Sequence, residues 1–436
     1  MSNMAIGLAG FGLLFVLLGM RMAVGPAMML VGAVGIYMIN PRGAMPTLGG
    51  ESFGVSTIYS LTILPLFVLM GNLAGISGMS RDLYTAAHAW FGHLKGGLAS
   101  STIVGCAGFS ALSGSSLASA VTMGRVALPE MQRYKYSDSL ACGSVAAGGT
   151  LGILIPPSAG FVIYAILTEE SIGRLFLAGV LPGLLLTGLF VVTIWISVKL
   201  KPELAPTSVD RVPMAERMAA LGSAFWILSI IVVTIGGIYL GVFSAVEAAG
   251  IGAFLSFLVA LMRKTVNLAS MKDVLLGTLR STATSFFILM GAFVFTPFVA
   301  LSGIPTAVTE ALTGMASSQM AVLLIILAIY VVLGTFMEGF AILVLTLPLV
   351  QPILESYGVN LVWFGVMMVI VLEMGLISPP VGVNVFVVKG IAPTVELNAI
   401  FRGIWPFWFA MIVCVAILLI FPEIALILPN TMFGSG

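Results

Sequence analysis

Apolar stretches long enough to cross a membrane follow one another along almost the whole chain. A helix rises about 1.5 Å per residue, so roughly 20 apolar residues span a hydrocarbon core of about 30 Å. Only 8% of the 436 residues are charged, too few to cover a soluble protein of this length. The sequence therefore predicts an all-α polytopic membrane protein. The predicted spans are 4–20, 23–39, 53–76, 139–168, 174–199, 221–241, 243–262, 277–301, 360–389 and 403–428.

Two further apolar regions, about 97–128 and 319–354, are interrupted near their middles by small or polar residues. The first interruption contains Ser113, Gly114, Ser115 and Ser116, and the second extends over 334–339. Each arm has about 15 residues, which is too short to cross a membrane comfortably. We therefore predict two re-entrant helical hairpins whose tips stop near the middle of the membrane.

Basic residues indicate which loops face the cytoplasm. The positive-inside rule places loops rich in Lys and Arg there. The intervening loops carry Glu residues, and the alternation is consistent if both termini are outside. The polar segment 200–220 is then a cytoplasmic linker. The basic residues are Arg125, Arg133, Lys135, Lys199, Lys201, Arg211, Arg217, Arg263, Lys264, Lys272, Lys389 and Arg402.

An internal repeat relates the two halves of the chain. Pro129 and Pro352 are separated by 352 − 129 = 223 positions, and the same offset relates several further pairs without a gap. These pairs are Tyr134 with Tyr357, Gly152 with Gly375, and Pro156-Pro157 with Pro379-Pro380. From the loop charges, span 139–168 runs outward and span 360–389 runs inward. The repeat therefore has inverted topology, which is typical of secondary transporters with a site near the midplane.

The repeat predicts a division of the chain into six parts. They are N-terminal scaffold helices 1–52, a first repeat 53–199, the linker 200–220, central scaffold helices 221–276, a second repeat 277–428 and a C-terminal tail 429–436.

A double proline interrupts one span in each half. Proline lacks an amide donor and disfavours helical geometry in the preceding residue, so carbonyls at 150–155 and 376–378 are freed. A dehydrated Na⁺ is a hard cation that suits such oxygens, and Ser or Thr hydroxyls are neutral additional ligands. A kink that only improves packing is the alternative at each break. The repetition of four breaks favours a site.

Helix N-termini at the same level offer positive dipole ends to an anionic substrate. They follow Ser116, Ser158 and Asn384. Arg280 enters a polar face, 281–285, without an adjacent acid, and it either extends to the membrane interface or is the counter-charge of a substrate carboxylate. Glu338 and Glu373 lie near the second hairpin tip and the second break, where each could favour cations.

Other classes of protein are less consistent with this pattern. A net charge of +1 argues against a nucleic-acid partner. A membrane enzyme would need a buried nucleophile–base pair or a metal cluster, and neither pattern is present, so no enzymatic activity is expected. A channel would show rings of charge or a filter. A standalone sodium–dicarboxylate symporter remains an alternative because it shares the inverted hairpin plan.

The paired motifs resemble the large membrane subunit of tripartite ATP-independent periplasmic (TRAP) transporters. In the first half they are Gly114-Ser115-Ser116, Gly149-Thr150-Leu151-Gly152 and Ile155-Pro156-Pro157-Ser158. In the second half they are 334–338 and the run from Gly375 to Gly382. The likeness covers nearly the whole chain.

The resemblance implies two Na⁺ sites and an elevator mechanism in which hairpins and broken spans slide together against a scaffold. The first Na⁺ would lie among Ser113, Gly114, Gly149, Thr150, Gly152 and Pro156. The second would lie among Gly334, Thr335, Met337, Gly375, Ser378 and Gly382. The substrate candidates are Ser116, Ser158, Arg280 and Asn384.

The resemblance also implies partners and a location. Such subunits work with a small membrane subunit of about four spans, which should here be a separate polypeptide, and with a periplasmic substrate-binding protein. They import organic acids such as C4-dicarboxylates or sialic acid, driven by Na⁺. The expected location is the bacterial inner membrane, with the lipid bilayer around a multi-pass protein.

Overall fold

The computed structural model describes residues 2–206, 211–315 and 318–434, without the side chains of 311–315. The regular structure of these residues is helical. In the first half the helices are α1 Asn3–Gly19, α2 Val24–Ile39, α3 Pro41–Thr57, α4 Ile63–Ile76, α5 Met79–Phe91, α6 Gly97–Ser113, α7 Ser116–Arg133, α8 Asp138–Leu154, α9 Ala159–Thr168 and α10 Ile172–Leu200. In the second half they are α11 Met214–Ser223, α12 Phe225–Tyr239, α13 Ala245–Met262, α14 Leu268–Ser302, α15 Ile304–Met315, α16 Gln319–Gly334, α17 Gly339–Ser356, α18 Leu361–Ile377, α19 Val383–Ile391, α20 Leu397–Ile420 and α21 Glu423–Phe433. Short 3₁₀ turns cover Tyr59–Thr62 and Pro202–Leu204.

Both hairpins are confirmed. Hairpin one consists of α6 and α7, and its tip is a two-residue turn. Gly114 ends α6 with a φ of 57°, a left-handed conformation that suits glycine, and the Ser115 hydroxyl accepts from the amide of Ala118 in α7. Hairpin two consists of α16 and α17. Its tip is longer, 335–338, and extended backbone at Glu338 leads into α17.

Both interrupted spans are also confirmed. The first consists of α8 and α9, with Ser158 capping α9 through the amide of Phe161. The second consists of α18 and α19, where Gly382 has a φ of 60°. The two Pro-Pro peptide bonds at these breaks are cis.

The packing of the halves is reciprocal. In each half both hairpin arms pack on the first part of the interrupted span, α8 or α18. Across the halves, α7 packs on α19 while α17 packs on α9, and α8 packs on α18. A two-fold axis exchanges the first two of these contacts and maps the third onto itself. The fold is therefore an inverted-topology repeat with re-entrant hairpins.

Loops with the same predicted side come together in space. Arg263, after α13, pairs with Asp82 at the start of α5. The Arg217 side chain lies 3.4 Å from Nδ1 of His93, and the linker carbonyl of Leu204 accepts from the amide of Ser137. All of these belong to predicted cytoplasmic segments. At the other end, Arg174 donates to the carbonyl of Gly434.

Several helix boundaries differ from those predicted. The span 53–76 is instead the end of α3, a 3₁₀ turn and α4; the prolines and glycines of 41–54 concealed a helix that Asn40 caps. The predicted boundary at 276/277 falls inside α14, whose first two turns are too polar to be recognised as a span. The predicted tail 429–436 is helical to Phe433.

Within the described ranges, seven helical segments are long and apolar enough to span a membrane, or eight if the bent pair α11–α12 is one span. The predicted spans 4–20 and 23–39 correspond to α1 and α2, whose bounds differ from the prediction by one residue at most. The amphipathic α5 and the helix α15 were not predicted.

Candidate functional site

A cavity of about 470 Å³ lies between the hairpin tips and two helices outside them, α4 and α14. Hairpin one contributes its tip, from Ser113 to Ala118, and hairpin two contributes Glu338 and Phe340. On the opposite wall α4 contributes Asn72, while α14 contributes Arg280 and a stripe of hydroxyls. The remaining wall is mostly aliphatic and aromatic. A mainly apolar cavity with a few convergent polar groups is the usual form of a small-molecule site.

Arg280 is the positive charge of this cavity. Its side chain is exposed, and no carboxylate lies within ion-pair distance of it in the described parts of the chain. The hydroxyls of Ser281, Thr284 and Ser285 line the same wall. Two of these hydroxyls, on Thr284 and Ser285, donate to carbonyls of their own helix, which leaves that of Ser281 free to donate. An unpaired guanidinium can bind a carboxylate through two parallel hydrogen bonds.

The tip of hairpin one is joined to the second repeat. The Ser116 hydroxyl donates to Oε2 of Glu373 over 2.8 Å, and both side chains are buried. Glu373 occupies the position equivalent to Thr150, since 373 − 223 = 150. The two halves therefore carry different chemistry at the same place: the Thr150 hydroxyl donates within its own helix to the carbonyl of Ala147.

The first predicted cation set converges on the tip of hairpin one. A Cβ added at Gly152 would lie 2.5 Å from the carbonyl group of Ser115, and one at Gly114 would lie 2.8 Å from the carbonyl oxygen of Pro157, next to Pro156. A Cβ at Gly149 would lie 3.1 Å from the carbonyl oxygen of Ser116. Backbone oxygens of tip and break thus lie close together, with the hydroxyls of Ser113 and Thr150 buried nearby.

The second predicted cation set is only partly brought together. A Cβ at Gly375 would lie 2.3 Å from the Cα of Gly334, so hairpin two meets the second interrupted span there. At Gly382 an added Cβ would lie 3.3 Å from the carbonyl oxygen of Ser378. The Ser378 hydroxyl donates to the carbonyl of Met374 and accepts from Nε1 of Trp408.

Thr335 and Met337, on the tip of hairpin two, make other contacts. The Thr335 hydroxyl donates to the carbonyl of Val332 within its own helix, and Met337 packs on the hydrophobic core. In the described ranges no three His, Cys, Asp or Glu side chains converge as metal ligands.

The four predicted substrate residues divide into two pairs. Arg280 and Ser116 line the cavity. Ser158 and Asn384 are fully buried outside its wall. Ser158 caps α9, and both polar atoms of the Asn384 amide lack a hydrogen-bond partner among the described residues.

One residue of the cavity wall, Asn72, was not predicted from the sequence to line a site. Asn72 follows Gly71, donates to the hydroxyl of Thr278 and lies in an otherwise apolar span. A single polar amide within such a span is the sequence feature that could have identified Asn72. No local pattern in the sequence indicates that Glu373 accepts a hydrogen bond from Ser116, because the two residues are far apart in the chain.

The fold and this cavity define a multi-pass membrane permease. The profile of the tripartite ATP-independent periplasmic transporter, DctM component, matches residues 11–424. The chain therefore belongs to this family, the large membrane subunits of TRAP transporters.

Two relatives support this assignment, and a solved structure shares the fold. The chain is 36% identical to the C4-dicarboxylate TRAP transporter large permease protein DctM of Pseudomonas aeruginosa, over 92% of this chain and 93% of the relative. It is 32% identical to the sialic acid TRAP transporter large permease protein SiaM of Vibrio cholerae, over 98% of both. The crystal structure of the YdaH transporter from Alcanivorax borkumensis superposes with a TM-score of 0.62 over 87% of each chain at 16% identity, a likeness of fold alone.

Proposed function

We propose that this permease imports an organic acid anion, of the C4-dicarboxylate or sialic acid type, in symport with Na⁺. The observation that carries the proposal is the unpaired Arg280 in a cavity bounded by both hairpin tips. The hydroxyls of Ser281 on α14 and of Ser115 at the hairpin one tip donate to no acceptor among the described residues, so they supply further donors for oxygens of the substrate.

Sodium coupling has a physical reason. A bare carboxylate is costly in the membrane, so the substrate must be neutralised before it crosses. Na⁺ bound at the carbonyls of the two breaks, beside the substrate cavity, would provide the compensating charge. Each net positive charge moved inward gains roughly 2.3 kcal/mol per 100 mV of membrane potential. Symport of two Na⁺ with a monoanion would therefore be driven by the potential as well as by the sodium gradient.

The packing of the helices supports an elevator movement as part of this proposal. The hairpins and interrupted spans contact one another closely in both halves, through the glycine contacts at Gly152 and Gly375. In this proposal they move together as one body. The α4 and α14 side of the cavity would belong to the stationary scaffold, so sliding of the unit would carry the substrate past Arg280 and the α14 hydroxyls.

The partners are part of the proposal. A small membrane subunit of about four spans and a periplasmic binding protein would complete the transporter in the bacterial inner membrane, with the binding protein delivering the substrate. This arrangement differs from a standalone symporter in one measurable respect, which is dependence on the soluble protein.

Uptake into proteoliposomes tests the proposal. The complex is reconstituted with the binding protein and given a panel of radiolabelled organic acids with an inward gradient of Na⁺, K⁺ or choline. We expect uptake of at least one acid only with Na⁺ and only with the binding protein present. Equal uptake in K⁺ or choline would exclude sodium coupling, and uptake without the binding protein would indicate a standalone symporter.

A further inference from the structure

A second cavity, of about 460 Å³, lies at the end of the bundle that carries the basic loops. It is a cleft between the amphipathic helix α5 and the base of hairpin one, α7. From α5 it is lined by Arg81, Tyr84, Thr85 and His88, and from α7 by Arg125, Val126, Pro129 and Glu130. The α5 residues have i, i+3, i+4 and i+7 spacing, so they form one face of that helix.

The two arginines of this cleft have no acidic partner. In the described residues, Arg81 and Arg125 make no ion pair. Asp82, the acid next to Arg81 in the chain, pairs with Arg263 instead. Glu130 is the acid of the cleft, and its nearest cation is Arg133, 3.9 Å away. The positive charge of the cleft therefore exceeds the negative charge.

His88 also lines the cleft, but one polar atom of its ring is closed off from solvent. Nε2 of His88 is buried and has no hydrogen-bond partner among the described residues. Burial lowers the pKa of His88, and the nearby Glu130 carboxylate opposes this shift. The imidazole is therefore mostly neutral near pH 7, so His88 adds no positive charge to the cleft and the two arginines provide its cations.

We propose that this cleft binds the phosphate group of an anion, with Arg81 and Arg125 as its guanidinium clamp. Guanidinium groups match phosphate oxygens through paired hydrogen bonds. The clamp takes one arginine from each helix, so a bound phosphate would fix α5 to hairpin one. Its place at the basic end of the bundle, where anionic headgroups concentrate, makes phosphatidylglycerol the first ligand to test. A soluble phosphate has the same chemistry.

The experiment uses the full chain purified from membranes. Short-chain phosphatidylglycerol, phosphatidylcholine or inorganic phosphate is titrated into the detergent-solubilised protein, and the melting temperature reports binding. We expect phosphatidylglycerol to stabilise the protein more than phosphatidylcholine does. Stabilisation by inorganic phosphate as well would support the site and identify the phosphate group, rather than the lipid, as the ligand.

Three substitutions make the test specific. A hydrogen bond to a charged group contributes enough that Arg81→Gln or Arg125→Gln should each weaken binding by about tenfold. Glu130→Gln should strengthen binding severalfold, because it removes the negative charge of the cleft, which repels a phosphate group. Arg402→Gln, an exposed arginine elsewhere, is the matched control and should bind as the unmodified protein does. The proposal is wrong if Arg81→Gln and Arg125→Gln bind like this control, or if no phosphate compound stabilises the protein.

Discussion

Ser116, at the start of α7, donates a 2.8 Å hydrogen bond to Glu373, near the end of α18, over a sequence distance of 257 residues. The bond joins the tip of hairpin one to the interrupted span of the opposite repeat. It also breaks the symmetry of the two halves, because the position equivalent to Glu373 is Thr150. A buried carboxyl group needs a hydrogen-bond partner, so the contact fixes where the tip can rest.

Ser116→Ala tests this contact. Leaving a buried carboxyl group without its hydrogen-bond donor typically costs about 1–3 kcal/mol, so we expect a lower melting temperature and reduced uptake. Ser256→Ala is the matched control, because Ser256 is equally buried and its hydroxyl has no partner among the described residues. Equal effects of the two substitutions would mean that the bond to Glu373 is unimportant.

Gly152→Ala tests the close approach of hairpin one to the first break. The added methyl carbon would lie 2.5 Å from the Ser115 carbonyl group, a backbone contact that can be relieved only by moving the tip. Such overpacking costs about 1–3 kcal/mol. We expect strongly reduced uptake together with a weaker dependence on Na⁺ concentration.

Gly188→Ala is the control for this substitution. Gly188 lies inside α10 and an added Cβ would meet no atom within 4 Å. Because alanine favours helices over glycine by up to about 1 kcal/mol, the control should be neutral or slightly stabilising. Normal sodium-dependent uptake by Gly152→Ala would contradict a cation site at this break.

Arg280→Ala tests the substrate site. Removal of the guanidinium should raise the KM for the transported acid or abolish uptake, while the melting temperature stays unchanged because Arg280 is exposed and unpaired. Lys272→Ala removes a positive charge from the same helix, two turns earlier and outside the cavity, and should transport normally. Unchanged transport by Arg280→Ala would assign Arg280 to the membrane interface instead.

The pH dependence of stability tests the environment of His88. Because burial lowers its pKa, the folded protein binds a proton on His88 less readily than the unfolded chain does, where the pKa is about 6.5. The contribution of a neutral His88 to the free energy of unfolding is thus complete above pH 6.5 and is lost as the pH falls below this value. His88→Gln should reduce the drop in melting temperature between pH 7.5 and 5.5, measured in detergent without added phosphate. An identical drop in both proteins would contradict this assignment.

The positions of the breaks were predictable from the sequence because their causes are local. A double proline removes donors wherever it stands, and Gly114 or Gly382 permits a left-handed turn without help from neighbours. The polar face of α14 was predictable for the same reason, and so was an Arg280 with no acid beside it in the sequence. Helix α3 was concealed because its glycines and prolines are unfavourable locally, although Asn40 and Pro41 carry the signals of a helix start.

The sequence by itself determined the membrane-spanning pattern, the repeat and the four breaks, since hydropathy and backbone chemistry act over a few residues. Only the tertiary structure decided which groups meet. It placed Ser116 against Glu373, removed Ser158 and Asn384 from the cavity wall, and brought Asn72 into it. Those contacts depend on how rigid helices from distant parts of the chain pack. The spacing of side chains along one helix does not identify the helix that packs against it.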